Sequence, residues 1–291
     1  MVEIKFPDRY VLRQFPEICE LIEENRDEII AAGLVRLDLS ATNFVDPFGM
    51  VTLIGVCRHM FNAYHVSSTI ILPDGDAGAY MERAGFKTLG DPFITVIRKK
   101  SLIEYFKRNH NMGVLRFFNS EKEIQSINEE VEGWMETNLF SEEEIHSITT
   151  FISEMVQNVC QHSRTPQQGV FCIQTYKTKK GESILSWAIG DAGIGIRQSL
   201  VESGVEKMER FGDERAIREV VMNGISRFQD DITRGNGLSR LYKGAQKRSA
   251  ILYIHSNSGL FGLYSDENKP RKLEMGVPLV MGTNIGFHLK T

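Results

Sequence analysis

Glu154, Asn158 and His162 recur at four-residue intervals within Glu154-Met-Val-Gln-Asn158-Val-Cys-Gln-His162. On an α-helix that spacing projects a carboxylate, a carboxamide and an imidazole from roughly one face. Farther along, Asp191-Ala-Gly-Ile-Gly195-Ile sets an acceptor-only carboxylate before two glycines, Gly193 and Gly195. A carboxylate there suits an amino group such as that of adenine, approached closely by bare backbone. A third stretch, Gly235-Asn-Gly237-Leu-Ser, opens a helical pattern from Leu238 to Ala245 whose first N–H groups are free to hold phosphate. In this order the three stretches would assemble one pocket for Mg-ATP.

Together these residues resemble the N, G1 and G2 boxes of the GHKL (Bergerat-fold) ATPases. That superfamily includes histidine kinases, anti-sigma-factor serine kinases, Hsp90, gyrase B and MutL. The resemblance covers about residues 110 to 291 and ends at Gly282-Thr283, which opens the strand pattern Ile285 to Leu289. It implies that Asn158 places its oxygen on a Mg²⁺ bridging the phosphates, that Glu154 is the general base orienting water or an acceptor hydroxyl, and that His162 touches the pocket. By the same resemblance Asp191 faces the adenine amino group, Thr283 lies beside the adenine, and Gly193, Gly195, Gly235 and Gly237 let backbone approach the ligand. Each position also has a plainer reading: a surface amide, a helix salt bridge, a C-terminal dipole partner, a capping Asp, a ligand-free glycine turn. Arg197 to Arg234 suits a mobile lid with an internal helix around Glu214 to Met222. Arg234 is open between a γ-phosphate contact and a solvated loop arginine.

The elements that must carry these residues fit a chain of 291 residues, long enough for two domains with full cores. A strand from Ser183 to Ile189 feeds Asp191. Ser141-Glu-Glu-Glu144 reads as a capping box that starts the helix bearing Glu154 and Asn158, and an amphipathic helix from Ser120 to Leu139 precedes it. In the N-terminal part, apolar positions at helical spacing run through residues 9 to 31, closed by Gly33. Leu34 to Leu39 alternates as a strand, Met50 to Tyr64 reads as a helix, Ser68 to Leu72 as a buried strand, Asp76 to Ala84 as a helix closed by Gly85, and Phe93 to Ile97 as a strand. That alternation predicts a small α/β domain able to fold alone.

Within it, Leu37-Asp-Leu-Ser-Ala-Thr-Asn-Phe-Val-Asp46-Pro-Phe-Gly49-Met, with Met81-Glu-Arg-Ala-Gly85-Phe later, resembles the STAS domain of anti-sigma-factor antagonists. In that family an Asp-Ser-Ser-Gly-Leu turn caps a helix, and the second serine is the usual phosphoacceptor. Here Asp46 and Gly49 match, but Pro47 and Phe48 replace the serines, leaving Ser40 and Thr42 as local alternatives. Without the hydroxyl, the expected role of this turn is a docking surface, with Phe48 partly exposed and touching a partner or the C-terminal domain; the plainer reading is a buried core phenylalanine. The expected organisation is α/β throughout: a STAS-like domain (1–98), a helical connector (99–119) and a GHKL two-layer α/β sandwich (120–291).

A formal net charge of -4 gives no general attraction to nucleic acid or anionic lipid. Cys19, Cys57, Cys160 and Cys172 lack C-x-x-C spacing and lie among apolar residues, which argues for buried thiols in the cytoplasm. Charges interrupt Met1 to Leu12, so no signal peptide is expected. No run approaches about eighteen apolar residues, so no membrane span is expected either. P-loop, zinc-helix and nucleophile-elbow motifs are absent, and His110 and His146 lie in the wrong context for a phosphoacceptor histidine. Two functions remain: a serine/threonine kinase resembling the anti-sigma-factor kinases, or an ATP-gated interaction module with slow hydrolysis. The expected ligands are ATP and Mg²⁺. The expected partner is a protein, either a sigma-factor regulator or a STAS-type protein, with a homodimer left open.

Overall fold

The computed structural model describes residues 1–98, 113–177, 181–226, 237–266 and 269–290. Strands β1 (Val2–Lys5) and β2 (Arg9–Tyr10) lead into helices α1 (Phe15–Glu24) and α2 (Arg26–Ala32). The single helical pattern expected over residues 9 to 31 is thus broken at Asn25, whose side chain bonds back to the Leu21 carbonyl, and Gly33 closes α2 in left-handed backbone (φ 63°). Next come β3 (Leu34–Asp38), β4 (Phe44–Val45), α3 (Pro47–Tyr64), β5 (Ser67–Ile71), α4 (Asp76–Arg83) and β6 (Ile94–Ile97). Strands β1, β3, β5 and β6 form a parallel sheet in the order β1-β3-β5-β6, as alternating strand and helix require.

The C-terminal half holds β7 (Val114–Phe118), α5 (Ile124–Thr137), α6 (Glu142–His162), β8 (Gly169–Lys177), β9 (Ser183–Gly190), α7 (Gly195–Glu202), α8 (Asp213–Asn223), α9 (Gly237–Lys247), β10 (Ile251–Asp266) and β11 (Lys269–Lys290). Its antiparallel sheet runs β10-β11-β9-β8-β7. Strand β7 lies inside the stretch expected to be a helical connector. Val114 to Phe118 instead pair with Gly169 to Ile173 as a sheet edge, and residues 99–112 fall outside the described residues.

Alternation along these strands sorts side chains to two cores. Phe171 and Ile173, Leu185, Trp187 and Ile189, and Ile285, Phe287 and Leu289 face helices α5 to α9. Val170, Cys172, Ala188 and Tyr253 face the other way and join the core of the N-terminal half. The element between is α3. Asp46 caps it by accepting the Gly49 N–H at 2.7 Å, Pro47 occupies its first turn, and His65 ends it in left-handed backbone. Every residue from Pro47 to Met60 is buried. A helix apolar all round must be covered all round, and α3 packs between the parallel sheet and the back of the antiparallel one.

This corrects the exposure expected for Phe48. Its ring is wholly buried, edge-on to Phe15 at 5.7 Å and against Gly286 of β11, where a Cβ would come within 2.6 Å of it. The turn does meet the C-terminal half, as core rather than as surface. Polar contacts follow the same seam: the His288 ring Nε2 lies 3.2 Å from the Asp46 carboxylate, Asn62 and Gln167 exchange two amide hydrogen bonds, and Arg58 reaches the Gln168 carbonyl. Among the described residues no helix is long and apolar enough to cross a membrane.

Candidate functional site

The capping box forms as expected: Ser141 Oγ accepts the Glu144 N–H, and the Glu144 carboxylate accepts the Ser141 N–H at 2.9 Å. From that start α6 buries Ile148, Ile152, Met155 and Val159 against the sheet, which sets Asn158 and His162 along the rim of a pocket. The pocket holds about 870 Å³ of space when its open mouth is counted. Its walls are apolar, with Ile189, Leu200, Val220, Leu238 and Ile285. Its polar lining includes Asn158, His162, Ser163, Asp191, Ser199 and Thr283.

Asp191 sits at the base, immediately after β9. Its own N–H donates to the Thr283 carbonyl at 2.9 Å, and its Oδ1 accepts the Gly193 N–H at 2.7 Å. Only 7 % of the residue is exposed, and burial pushes its pKa up to about 6 against the opposing pull of hydrogen bonds from the Gly193 and Thr283 backbone. The site therefore holds a costly carboxylate in a fixed orientation.

The glycines have distinct tasks. A Cβ on Gly193 would come within 2.0 Å of the Ser163 carbonyl oxygen, because this loop is pinned to the end of α6 by the Ile194 N–H donating to that same carbonyl at 3.0 Å. Gly195 has φ 79°, and a Cβ there would meet the Asn257 amide at 2.4 Å. Of these two only Gly195 lines the pocket. Gly237 opens α9 against Glu154, where a Cβ would meet its Oε2 at 2.7 Å. Gly235 and Arg234 lie outside the described residues.

Glu154 stands one turn before Asn158 but does not line the pocket. It is ion-paired with Arg240 of α9, and its other oxygen, Oε2, is buried without a hydrogen-bond partner. Burial raises its pKa, opposed by Arg240. The structure thus brings Asn158, His162, Asp191, Gly195 and Thr283 to one cavity, with Gly193 behind it and Glu154 and Gly237 beside it.

Sequence reasoning missed Ser256 and Asn257. They form a bulge where β10 changes register against β11, with Asn257 in left-handed backbone (φ 53°). Ser256 Oγ accepts the Ile196 N–H at 2.8 Å and lies 3.2 Å from Thr283 Oγ1. A Ser-Asn-Ser-Gly run inside an apolar strand was the available signal. Among the described residues no cluster of three or more His, Cys, Asp or Glu side chains could hold a metal. A cation at Asn158 would therefore need oxygens supplied by its ligand. Comparison with protein-family models and with curated proteins finds no match for this chain.

Proposed function

We propose that the chain is a Mg-ATP-binding regulatory protein, with a C-terminal GHKL-type ATPase domain of Bergerat fold and a STAS-like N-terminal domain, working in the cytoplasm in bacterial-type signalling. The observation that carries the reading is the buried Asp191 at the base of an apolar-walled pocket that Asn158, His162, Gly195 and Thr283 also line. An acceptor whose burial is costly is expected where a ligand N–H repays it, and the apolar walls suit a planar base. The antiparallel sheet with helices over one face is the layering the resemblance implies. Asn158, neutral and on the rim, fits a Mg²⁺ whose remaining ligands are phosphate oxygens and water, and the bound ion would offset phosphate charge.

For the reaction, the favoured reading is phosphoryl transfer to a serine or threonine of a protein partner, with Glu154 as base. Of the two local hydroxyls, Thr42 fits poorly as an acceptor in cis, whereas Ser40 is half-buried. Thr42 is buried and donates to the Pro7 carbonyl at 2.8 Å, and Phe48 has no hydroxyl. The favoured acceptor belongs to a separate protein, such as one carrying an intact Asp-Ser-Ser-Gly turn, with Ser40 the local alternative. The Glu154–Arg240 pair favours a second reading, an ATP-gated interaction module with slow hydrolysis, because it occupies the base. Incubation with γ-labelled ATP, Mg²⁺ and a serine-bearing STAS-type protein separates them. Label on the partner supports the kinase, free phosphate alone supports the gated module, and no nucleotide binding at all rejects both.

A further inference from the structure

Thr283 and Asn284 are neighbours on β11 and serve opposite faces of the sheet. Thr283 lines the pocket. Asn284 is wholly buried behind it, facing Gly55 of α3 and packed on Gly190, the residue before Asp191. From Asn284 a hydrogen-bond chain returns to the pocket. Its amide donates to His255 Nδ1 at 3.1 Å, and His255 Nε2 donates to the Asn257 carbonyl at 2.8 Å, which makes the imidazole the neutral Nε2–H tautomer. The Asn257 side chain then spans two pocket segments, donating to the Ile194 carbonyl at 2.8 Å and accepting the Gly282 N–H at 3.0 Å. His255 is itself buried and stacked edge-on to Phe15 of α1 at 4.7 Å.

We infer that Asn257 and His255 are positioning residues for the pocket. Asn257 clamps the glycine loop that follows Asp191 to the strand that carries Thr283, and His255 holds Asn257 in the left-handed backbone the clamp requires. Asparagine is among the few residues that adopt such backbone readily, and its carboxamide carries donor and acceptor on one planar group, so that it can give a hydrogen bond to one segment and take one from the other. The β9–β11 ladder, ending at Gly190 and Asn284, and the Asp191 N–H already join Asp191 to the Thr283 strand, and the Ser256 hydroxyl links Ile196 to Thr283; Asn257 adds the tie from the glycine loop at Ile194 to Gly282. Remote helices α1 and α3 become the support of the ligand site, since they pack on His255 and Asn284. For its ligand the inference rests on the ATP reading. The network itself does not.

The test uses the full chain and three variants. Asn257→Gly keeps the left-handed backbone at no steric cost and removes only the clamp. His255→Phe removes the donor to Asn257, and His255→Gln restores a donor of similar reach. Without nucleotide, Asn257→Gly and His255→Phe should speed amide hydrogen exchange across residues 191–197 by about tenfold or more, and His255→Gln should return it close to wild type. With Mg-ATP, the first two should bind about tenfold more weakly. Unchanged exchange in folded Asn257→Gly overturns the inference, and that variant decides alone if His255→Phe fails to fold. Wild-type protein that ignores ATP defeats the ATP reading, while the exchange result still decides the positioning role.

Discussion

Asp191 concentrates the energetics of the pocket in one side chain. Its pKa, raised to about 6 by burial, means that the folded protein binds a proton more tightly there than the unfolded chain does. The stability this group contributes is full below the ordinary carboxylate range and is lost as pH rises through about 6. Asp191→Asn keeps an oxygen for the Gly193 N–H and removes the charge, so at pH 7 to 8 it should melt at least as high as wild type, with that advantage fading near pH 4. The same substitution should weaken ATP binding by about tenfold or more, since one hydrogen bond to a charged group is worth about 1.5–3 kcal/mol. In wild type, ATP affinity should fall as pH drops below about 6 and the acceptor is protonated, levelling off near the affinity of Asp191→Asn. Thermal melts and calorimetry across pH 4 to 8 check all three. Glu154 and Asn158 should separate: Asn158→Ala abolishes Mg-dependent binding, whereas Glu154→Ala binds ATP and loses turnover. Equal loss of affinity in both would contradict that division. That Asn158, Asp191 and Thr283 would share one cavity was legible because each sits in a short motif. The pairing of Glu154 with Arg240 was not, because it joins helices far apart in sequence.

At the scale of elements, those with their own start and stop signals were readable. The Ser141 capping box, the Gly33 and Gly85 closures, and the strand from Ser183 all stand where expected. Helix α3 begins at Pro47 rather than Met50 because Asp46 and Pro47 supply the cap and first turn. Strands β8 and β10 went unread: β8 is buried on both faces and alternates weakly, and the bulge at Asn257 interrupts β10. The environment of Phe48 depends on a sheet more than a hundred residues away, which no local pattern encodes. Phe48→Ala should cost about 3–5 kcal/mol, as for other buried aromatic truncations. Denaturant melts showing no more than about 0.5 kcal/mol, the range of surface changes, would contradict its place in the core.

For the whole molecule, two sheets share one helix, and the core of the N-terminal half continues into Val170, Cys172, Ala188 and Tyr253. The sequence pattern suggested a unit able to fold alone. The shared core predicts instead that residues 1–98 expressed separately bare the outer face of α3 and associate or melt early, and that the full chain unfolds in one transition. Two well-separated calorimetric transitions, or a stable monomeric 1–98 fragment, would argue for independent halves. That shared helix also lies behind the strand carrying Thr283, so the halves meet next to the pocket. The most direct test of the account is isothermal titration of the full-length protein with ATP and with GTP in the presence of Mg²⁺ at pH 7.5. An acceptor at the pocket base recognises an exocyclic amino group where guanine carries a carbonyl, so ATP should bind at one site per chain and GTP about tenfold or more weakly. No heat with ATP, or equal affinity for the two nucleotides, would contradict it.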